Sequence, residues 1–342
     1  MIGKTEELSA AFGQALLELG RVNERVVVLD SDIADSCQTE AFRNAFPNRS
    51  FDLGVAEQSL PTFAAGLALC GKIPICNSFG VFSATRGFDM IRQSVCYNRA
   101  NVKIVAHAAG QSMGYTGPSH HTVEDISAIR ALPYMAILSP CDGVEVTQVV
   151  RAMAEHEGPV YLRLARVSVP HLHGDDYRFR MGKLDRLAEG SDVTLFATGD
   201  LVHLALEARS VLADKGVRAR VVNVPCLKPL EREEVAAQGA DTLGAVTIED
   251  HNVLGGLGSI ISEIYSGSIC KPVLRVGIPD VFTESDDCEK LRKKVGISID
   301  SIENCVHLIV ERTQQNAGRT AARKEGAGQQ QRACGERTNE GF

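Results

Sequence analysis

Tryptophan is absent from this sequence of 342 residues, and aromatic residues of all kinds make up only 5% of it. No apolar run is long enough to cross a membrane and no apolar leader follows Met1, so we expect neither a membrane span nor a secretory signal. Positive charge is not in excess either, because the formal net charge is −7 and acids and bases are interspersed. The sequence therefore does not predict a nucleic-acid-binding surface.

Cysteine occurs at ten positions but never in a C-x-x-C pair. The cysteines are scattered, and several lie inside apolar segments that we predict to be strands or helices. This pattern is typical of reduced, mostly buried thiols and not of a disulfide framework or a zinc site. We therefore expect a cytoplasmic protein that provides no metal site of its own.

Residues 1–165 alternate predicted helices with short apolar strands. A first helix is predicted from a Thr5 cap to a stop at Gly20, and "RVVVLDSD" follows it as a buried strand. The later strands are predicted at residues 73–76, 102–106, 136–139 and 160–164. Such alternation predicts an α/β domain with a mainly parallel sheet and helices on both faces. Ligands gather beyond the carboxyl ends of such strands, where Asp32 and Ser36 stand.

The remainder of the chain divides into three predicted parts. Residues 166–190 are polar and turn-rich, which predicts a linker. Residues 191–310 alternate strands and helices again and predict a second, smaller α/β domain of the same mainly parallel type. Residues 311–342 have almost no large apolar side chains and cannot offset their ordering entropy, so we predict a disordered tail.

Glu57 stands at the threshold of an apolar helix in "FDLGVAEQSLPTFAAGLALCG", residues 51–71. Phe63, Ala64, Leu67 and Ala68 recur in it at the spacing of a buried helical face. A glutamate before such a helix is either a solvated acid that complements the helix dipole or a buried carboxylate with a partner. These residues alone favour the solvated acid, because glutamate is rarely buried unpaired.

Histidines and phenylalanines supply further candidate chemistry. The glycine-rich loop "AHAAGQSMGYTGPSHHTVEDI" holds His120 and His121, which either handle protons beside a ligand or cap the next helix from the surface. Phe79 and Phe82 flank a predicted strand-to-helix turn. They are either core residues or a stacking wall for a flat heterocycle.

Five motifs of the first unit occur together, in the order "DSDIADS", "FDLGVAEQ", "SFGVFSATRGFD", "GYTGPSHHTVEDI" and "YLRLAR". The set resembles the pyrimidine-binding domain of transketolases. The second unit is similar to the transketolase C-terminal domain at "ATGD", "LKPLE", "EDHNVLGGLGS" and "GIPDVFTES". The resemblance runs from about residue 5 to 310 and implies a thiamine-diphosphate enzyme that transfers a two-carbon ketol unit from a phosphorylated ketose to an aldose.

The resemblance also implies roles for single residues. Glu57 matches the family glutamate that contacts the aminopyrimidine ring of the cofactor, and Phe82 stacks on that ring with Phe79 beside it. Asp32 lies near the cofactor, and His120 matches a histidine at the donor's hydroxyls, so Glu57 and His120 are the expected catalytic residues. The remaining expected substrate-binding residues are Ser36 and Arg166, which match positions that grip the acceptor's phosphate, and His107.

Two departures from the family pattern refine this expectation. Thr116 replaces an aspartate that reads a sugar hydroxyl in ordinary transketolases, which leaves the donor and the acceptor open. The G-D-G motif and downstream asparagine that hold magnesium and diphosphate have no counterpart here. The resemblance thus implies the C-terminal subunit of a split transketolase, completed by an N-terminal subunit that binds magnesium and diphosphate, in an α2β2 assembly with a homodimeric core.

Two other interpretations remain at this point. The β subunit of a 2-oxoacid dehydrogenase also carries a G-x-x-E-Q stretch, although it normally lacks the G-P-S-H-H loop. A non-catalytic homologue is the alternative from another class, against which Glu57, Phe82 and His120 argue.

Overall fold

A computed structural model describes residues 4–313 of the chain. The strands of the first half are β1 (Thr5–Glu7), β2 (Val26–Asp30), β3 (Ser50–Asp52), β4 (Ile73–Phe79), β5 (Lys103–His107), β6 (Ala136–Leu138), β7 (Val160–Leu164) and β8 (Ser168–Pro170). The strands of the second half are β9 (Asp185–Ala188), β10 (Val193–Ala197), β11 (Ala219–Asn223), β12 (Cys226–Lys228), β13 (Ala245–Asn252) and β14 (Val273–Ile278).

Helices connect most of these strands. In the first half they are α1 (Leu8–Val22), α2 (Glu40–Ala45), α3 (Leu60–Leu69), α4 (Gly80–Ala84), α5 (Phe88–Met90, continued by the π-helical segment Ile91–Cys96), α6 (Asp125–Arg130) and α7 (Gly143–Glu155). In the second half they are α8 (Val202–Asp214), α9 (Arg232–Gly239), α10 (Leu257–Ser266), α11 (Cys288–Lys294) and α12 (299–313).

Two mainly parallel sheets organise the fold. The first has seven strands in the order β12-β6-β7-β5-β4-β2-β3, and the second has five in the order β14-β13-β10-β11-β9. Only β12 and β9 run antiparallel to their neighbours, each at a sheet edge. A short antiparallel ribbon pairs β1 with β8. The predicted α/β class with two sheets is confirmed.

The alternation of side chains along each strand gives the first sheet two apolar faces. In β2, Val26 and Val28 join the core covered by α1 and α7, whereas Val27 and Leu29 join the core covered by α3 and α6. Each such buried side chain contributes roughly 1.5–3 kcal/mol to folding. The second core also includes side chains of β10 and α10, so the two units share one continuous apolar interior.

Buried charged groups cross between the two units, and we call them the domain seam. Arg163 bonds both carboxylate oxygens of Asp125 and the carbonyl oxygen of Asp250. Arg292 pairs with Asp200 and Asp250. His173 lies 3.0 Å from an oxygen of Asp142 and 2.8 Å from one of Asp185. Burial opposes the charge of His173, but the hydrogen bonds to Asp142 and Asp185 raise its pKa to about 10.

The structure corrects several local expectations. Thr5 does not cap α1 but lies in β1 opposite Pro170. The helix passes Gly20 and ends at Val22, because a side chain at position 20 would collide with the rings of Phe42 and Phe46. That glycine answers a packing requirement and is not a helix stop.

The segment predicted as a linker, residues 166–190, contains β8 and β9, which pair with β1 and β11. The predicted domain boundaries otherwise stay a prediction. The predicted disordered tail, 311–342, lies outside the described residues except for its first three, which continue α12. The cysteines of residues 4–313 are all free thiols, as expected, although Cys70 and Cys270 are exposed.

Candidate functional site

The candidate site lies at the carboxyl edge of the first sheet. Parallel register places Asp30 beside Asp52 and Asn77, and Phe79 beside His107. The loops that follow these strands therefore converge, as the geometry of parallel sheets requires. We call this place the catalytic edge and describe its side chains from the sheet outward.

Glu57 lies in the loop between β3 and α3, and it is buried, with only 5% of its surface exposed. Within the described residues its carboxylate receives one hydrogen bond, from Nη1 of Arg86 at 3.2 Å. Arg86 itself is more than half exposed. The solvated interpretation of Glu57 is therefore wrong, because the following loop and helix fold over it.

Three aromatic rings form the wall beside this carboxylate. Phe79 ends β4, Phe82 lies in α4, and His120 reaches them from the glycine-rich loop. The ring centroids of Phe82 and His120 are 5.3 Å apart, and each lies about 6 Å from Phe79. The guanidinium of Arg86 lies 5.2 Å from the Phe82 centroid, so Arg86 joins the aromatic wall to Glu57. The grouping of Glu57, Phe79, Phe82 and His120 predicted from the sequence is thus found in space.

A second group of predicted residues surrounds the end of β5. His107 is buried, its Nε2 lies 3.2 Å from Oδ1 of Asn77, and its Nδ1 has no hydrogen-bond partner among the described residues. Burial, and then the charge of Arg166, lower the pKa of His107 to about 3. Arg166 follows β7 and is exposed. The histidine is therefore neutral at physiological pH, with Arg166 nearby.

The loop after β2 contributes the remaining predicted residues. Asp32 is exposed and adopts φ of 60°, a conformation that costs most residues energy, and its N–H donates to Asp52 at 3.1 Å. Ser36 is half-buried, and its N–H donates to Asp35. Nearby Asp30 is buried against the hydroxyl of Thr39, and burial raises its pKa to about 6. Asp32 and Ser36 therefore lie at the edge, apart from the aromatic wall.

Sequence reasoning missed the role of Arg86 and of Thr283, whose hydroxyl contacts the histidine loop from the second unit. Neither residue belongs to a local pattern, so no signal in the sequence identifies them. His121 was one of two histidines considered as a proton carrier, but it is buried and bonded to Thr283, whereas His120 lies at the aromatic wall.

One group of side chains in the described part of the chain has the composition of a metal site, away from the catalytic edge. Cys141, Asp142 and His173 present ligand atoms within 4.8 Å of one another. Both ring nitrogens of His173 are already bonded to carboxylates. These residues therefore form part of the domain seam and give no support to a metal ion.

Helix α3 differs from its expected burial. Ala64 and Ala65 face the core, but Phe63 is 44% exposed and Leu69 is 76% exposed. The helix is apolar on all sides, and only one side packs within this chain. Such an exposed apolar face is typical of a protein interface.

No helix within residues 4–313 combines the length and the apolar character that a membrane span needs.

Family models match both units of the chain. The model "Transketolase, pyrimidine binding domain" matches residues 5–171, and "Transketolase, C-terminal domain" matches residues 182–302. A putative transketolase C-terminal section from Methanocaldococcus jannaschii is 40% identical over 88% of this chain and 95% of its own length. A 6-deoxy-6-sulfo-D-fructose transketolase subunit from Clostridium sp. is 36% identical over 90% of this chain and 97% of its own.

Among solved structures, one described as a split gene transketolase, inactive beta4 tetramer, superimposes with a TM-score of 0.84. It is 42% identical in sequence and is covered over 98% of its length by 89% of this chain.

Proposed function

The chain belongs to the transketolase family as a split subunit with the pyrimidine-binding and C-terminal domains, and we propose that it transfers a two-carbon ketol unit from a phosphorylated ketose to an aldose. The observation that carries this proposal is the buried carboxylate of Glu57 beside the rings of Phe79, Phe82 and His120. A carboxyl group next to flat apolar faces is the donor set that suits an aminopyrimidine ring. The residues present therefore fit thiamine diphosphate.

When bound, thiamine diphosphate supplies the electron sink for breaking the carbon–carbon bond of the ketose. Glu57 holds a proton in a hydrogen bond to the ring nitrogen of the pyrimidine, which biases that ring toward the tautomer needed for proton removal. Phe82 provides the flat surface that fixes the plane of the ring, with Phe79 behind it. Arg86 is close enough to both Glu57 and Phe82 to orient the carboxylate.

The other predicted residues are assigned to substrate. His120 hydrogen-bonds the donor's hydroxyls from the side of the aromatic wall. Arg166 and Ser36 bind the terminal anion, for which a guanidinium fork is well suited. Neutral His107 lies below them, and Asp32 remains near the cofactor. The printed names of relatives include a sulfonated fructose and apulose 4-phosphate, both anionic sugars, which is compatible with this use of Arg166.

We assign magnesium and diphosphate binding to a partner, the N-terminal subunit. The exposed apolar side of α3 supports association with further chains, because Phe63 and Leu69 have no cover within the described part of this one. An α2β2 assembly with a homodimeric core is the arrangement that we propose, with the cytoplasm as its location.

The test is reconstitution. We expect the purified chain with thiamine diphosphate and magnesium to show no ketol transfer, and the same chain mixed with the N-terminal subunit encoded in its genome to transfer the unit between sugar phosphates. Ketol transfer by the chain alone would contradict the division of the site between subunits.

A 2-oxoacid assay separates the main alternative. Pyruvate decarboxylation by the reconstituted complex, with no transfer from any ketose phosphate, would identify a 2-oxoacid dehydrogenase subunit and overturn the proposal. A complex that forms but catalyses neither reaction would support the non-catalytic homologue.

A further inference from the structure

The loop that carries His120 is closed at its neck. Gly110 and Thr122 exchange backbone hydrogen bonds of 2.9 Å in both directions, so residues 111–121 form a loop with fixed ends. Its first residue, Gln111, and its last, His121, are both buried. His120 lies just inside the neck, and its position depends on how firmly the neck is held.

One hydroxyl from the second unit contacts both ends of this loop. Nε2 of Gln111 donates to Oγ1 of Thr283 at 2.9 Å, and Nδ1 of His121 lies 3.0 Å from the same oxygen. The other ring nitrogen of His121 lies 3.3 Å from the carbonyl oxygen of Gly114. Burial lowers the pKa of His121, which favours the neutral ring.

These contacts define one direction of donation. Gln111 can only donate through its Nε2, and the Gly114 carbonyl can only accept. The neutral ring of His121 must therefore carry its proton on Nε2 and accept at Nδ1 from the Thr283 hydroxyl. The sequence Gln111 to Thr283 to His121 to Gly114 is thus complete, with each donor matched to one acceptor.

The segment around Thr283 also fits closely against the loop. A side chain at position 114 would lie 2.3 Å from the carbonyl oxygen of Asp286, and one at position 117 would lie 2.3 Å from Oγ of Ser285. The N–H of Asp286 donates to the Gly114 carbonyl. Asp250 of the seam accepts from the N–H of Gln111 and also binds Arg292 of α11. The segment is therefore anchored on both sides.

We propose that Thr283 of the second unit is a positioning residue, whose hydroxyl holds the neck of the histidine loop and so places His120 for the donor sugar. The assignment of His120 to the donor rests on the proposed function, whereas the hold on the loop does not. The C-terminal domain thereby takes part in donor binding without touching the substrate.

Hydrogen exchange of the full-length chain tests the hold on the loop. Thr283→Val keeps the shape and removes the hydroxyl, so we expect roughly 10-fold faster amide exchange across residues 111–121, since a lost hydrogen bond is worth about one decade. Thr283→Ser retains the hydroxyl and is expected to exchange as the unmodified chain does. Thr147→Val is the matched control, because its hydroxyl bonds only the Gly143 carbonyl within α7.

Steady-state kinetics of the reconstituted complex test the consequence for His120. Thr283→Val is expected to lower kcat/KM for the donor by roughly 10-fold, with KM for the acceptor unchanged and Thr283→Ser restoring the rate. Unchanged exchange in Thr283→Val, or equal defects in the Val and Ser variants, would overturn the proposal. If the unmodified complex transfers no ketol unit, the proposed function fails, and the exchange result still decides the role of Thr283.

Discussion

The domain seam and the catalytic edge treat buried charge in opposite ways. At the seam, Arg163, Arg292 and His173 each bond carboxylates of this same chain. At the catalytic edge, Glu57 is equally buried, but its one hydrogen bond within the described residues comes from the exposed Arg86. The seam is complete within one polypeptide, whereas the edge keeps its carboxyl group accessible to a group from outside.

The difference separates what stabilises the fold from what performs the reaction. Removing one partner of a buried ion pair leaves an uncompensated charge and destabilises the folded state. Replacing a group that meets only a ligand should leave the fold intact and reduce turnover. The following predictions rest on that contrast.

Glu57→Gln is expected to lower turnover of the reconstituted complex by ~10²–10⁴-fold, because the amide fills the same volume but cannot share a proton with the pyrimidine ring. The melting temperature should stay within about 2 °C of that of the unmodified chain. Glu24→Gln, at an exposed position, is the control for both measurements. A normal rate in Glu57→Gln would remove this residue from catalysis, and a large fall in melting temperature would place it with the seam.

Arg292→Met is expected to destabilise the folded state by about 3–5 kcal/mol, because Asp200 and Asp250 remain buried without their cation. Arg218→Met breaks an exposed pair with Asp192 and is expected to cost less than about 1 kcal/mol. Thermal unfolding monitored by circular dichroism measures both. If Arg292→Met fails to fold, Arg292→Lys should give an intermediate loss, and equal stability of all these proteins would contradict the role of the seam.

Arg166→Ala is expected to raise KM for a phosphorylated acceptor by ~10–100-fold and to leave KM for an unphosphorylated sugar nearly unchanged, because only the anion loses a charged hydrogen bond. A sulfonated sugar should behave as the phosphate does. Arg180→Ala is the matched exposed control. Equal losses for charged and uncharged acceptors would show that Arg166 is structural.

His173→Gln tests the seam through pH. Because the folded-state pKa of His173 is raised to about 10 from an ordinary value near 6.5, its stabilisation is complete below about pH 6.5 and is lost as pH rises through 10. We expect the variant to be less stable by about 2 kcal/mol at pH 6, with the difference shrinking toward pH 10. Urea unfolding at several pH values measures this difference. A constant difference across that range would mean that His173 is not charged in the folded chain.

Strands bounded by polar residues were the most predictable part of the fold. The prediction for residues 160–164 coincides with β7, and that for 102–106 differs from β5 by one residue. The strands β9 and β12 were not predicted, because four and three residues carry no readable alternation and their pairing is decided by distant partners. The exposure of Phe63 was missed because periodicity describes one side of a helix and does not reveal what covers the other.

The candidate site could be assembled only in part. Glu57, Phe79, Phe82 and His120 come together as the resemblance implied, since each follows a strand or lies near a strand end. Arg86 and Thr283 could not be predicted. The contact between His121 and Thr283 spans 162 positions in the chain, and both residues are ordinary in their local sequence. Contacts of that length depend on the packing of the two units.

The strand β12 determines the order in which the molecule can be built. Residues 226–228 add to the edge of the first sheet beside β6, although the other strands of that sheet end at residue 164. During synthesis the edge of β6 therefore stays open until more than sixty further residues have left the ribosome. Open strand edges pair readily with foreign chains, so a product that stops before residue 226 should aggregate. The first domain thus reaches its finished form only together with the second.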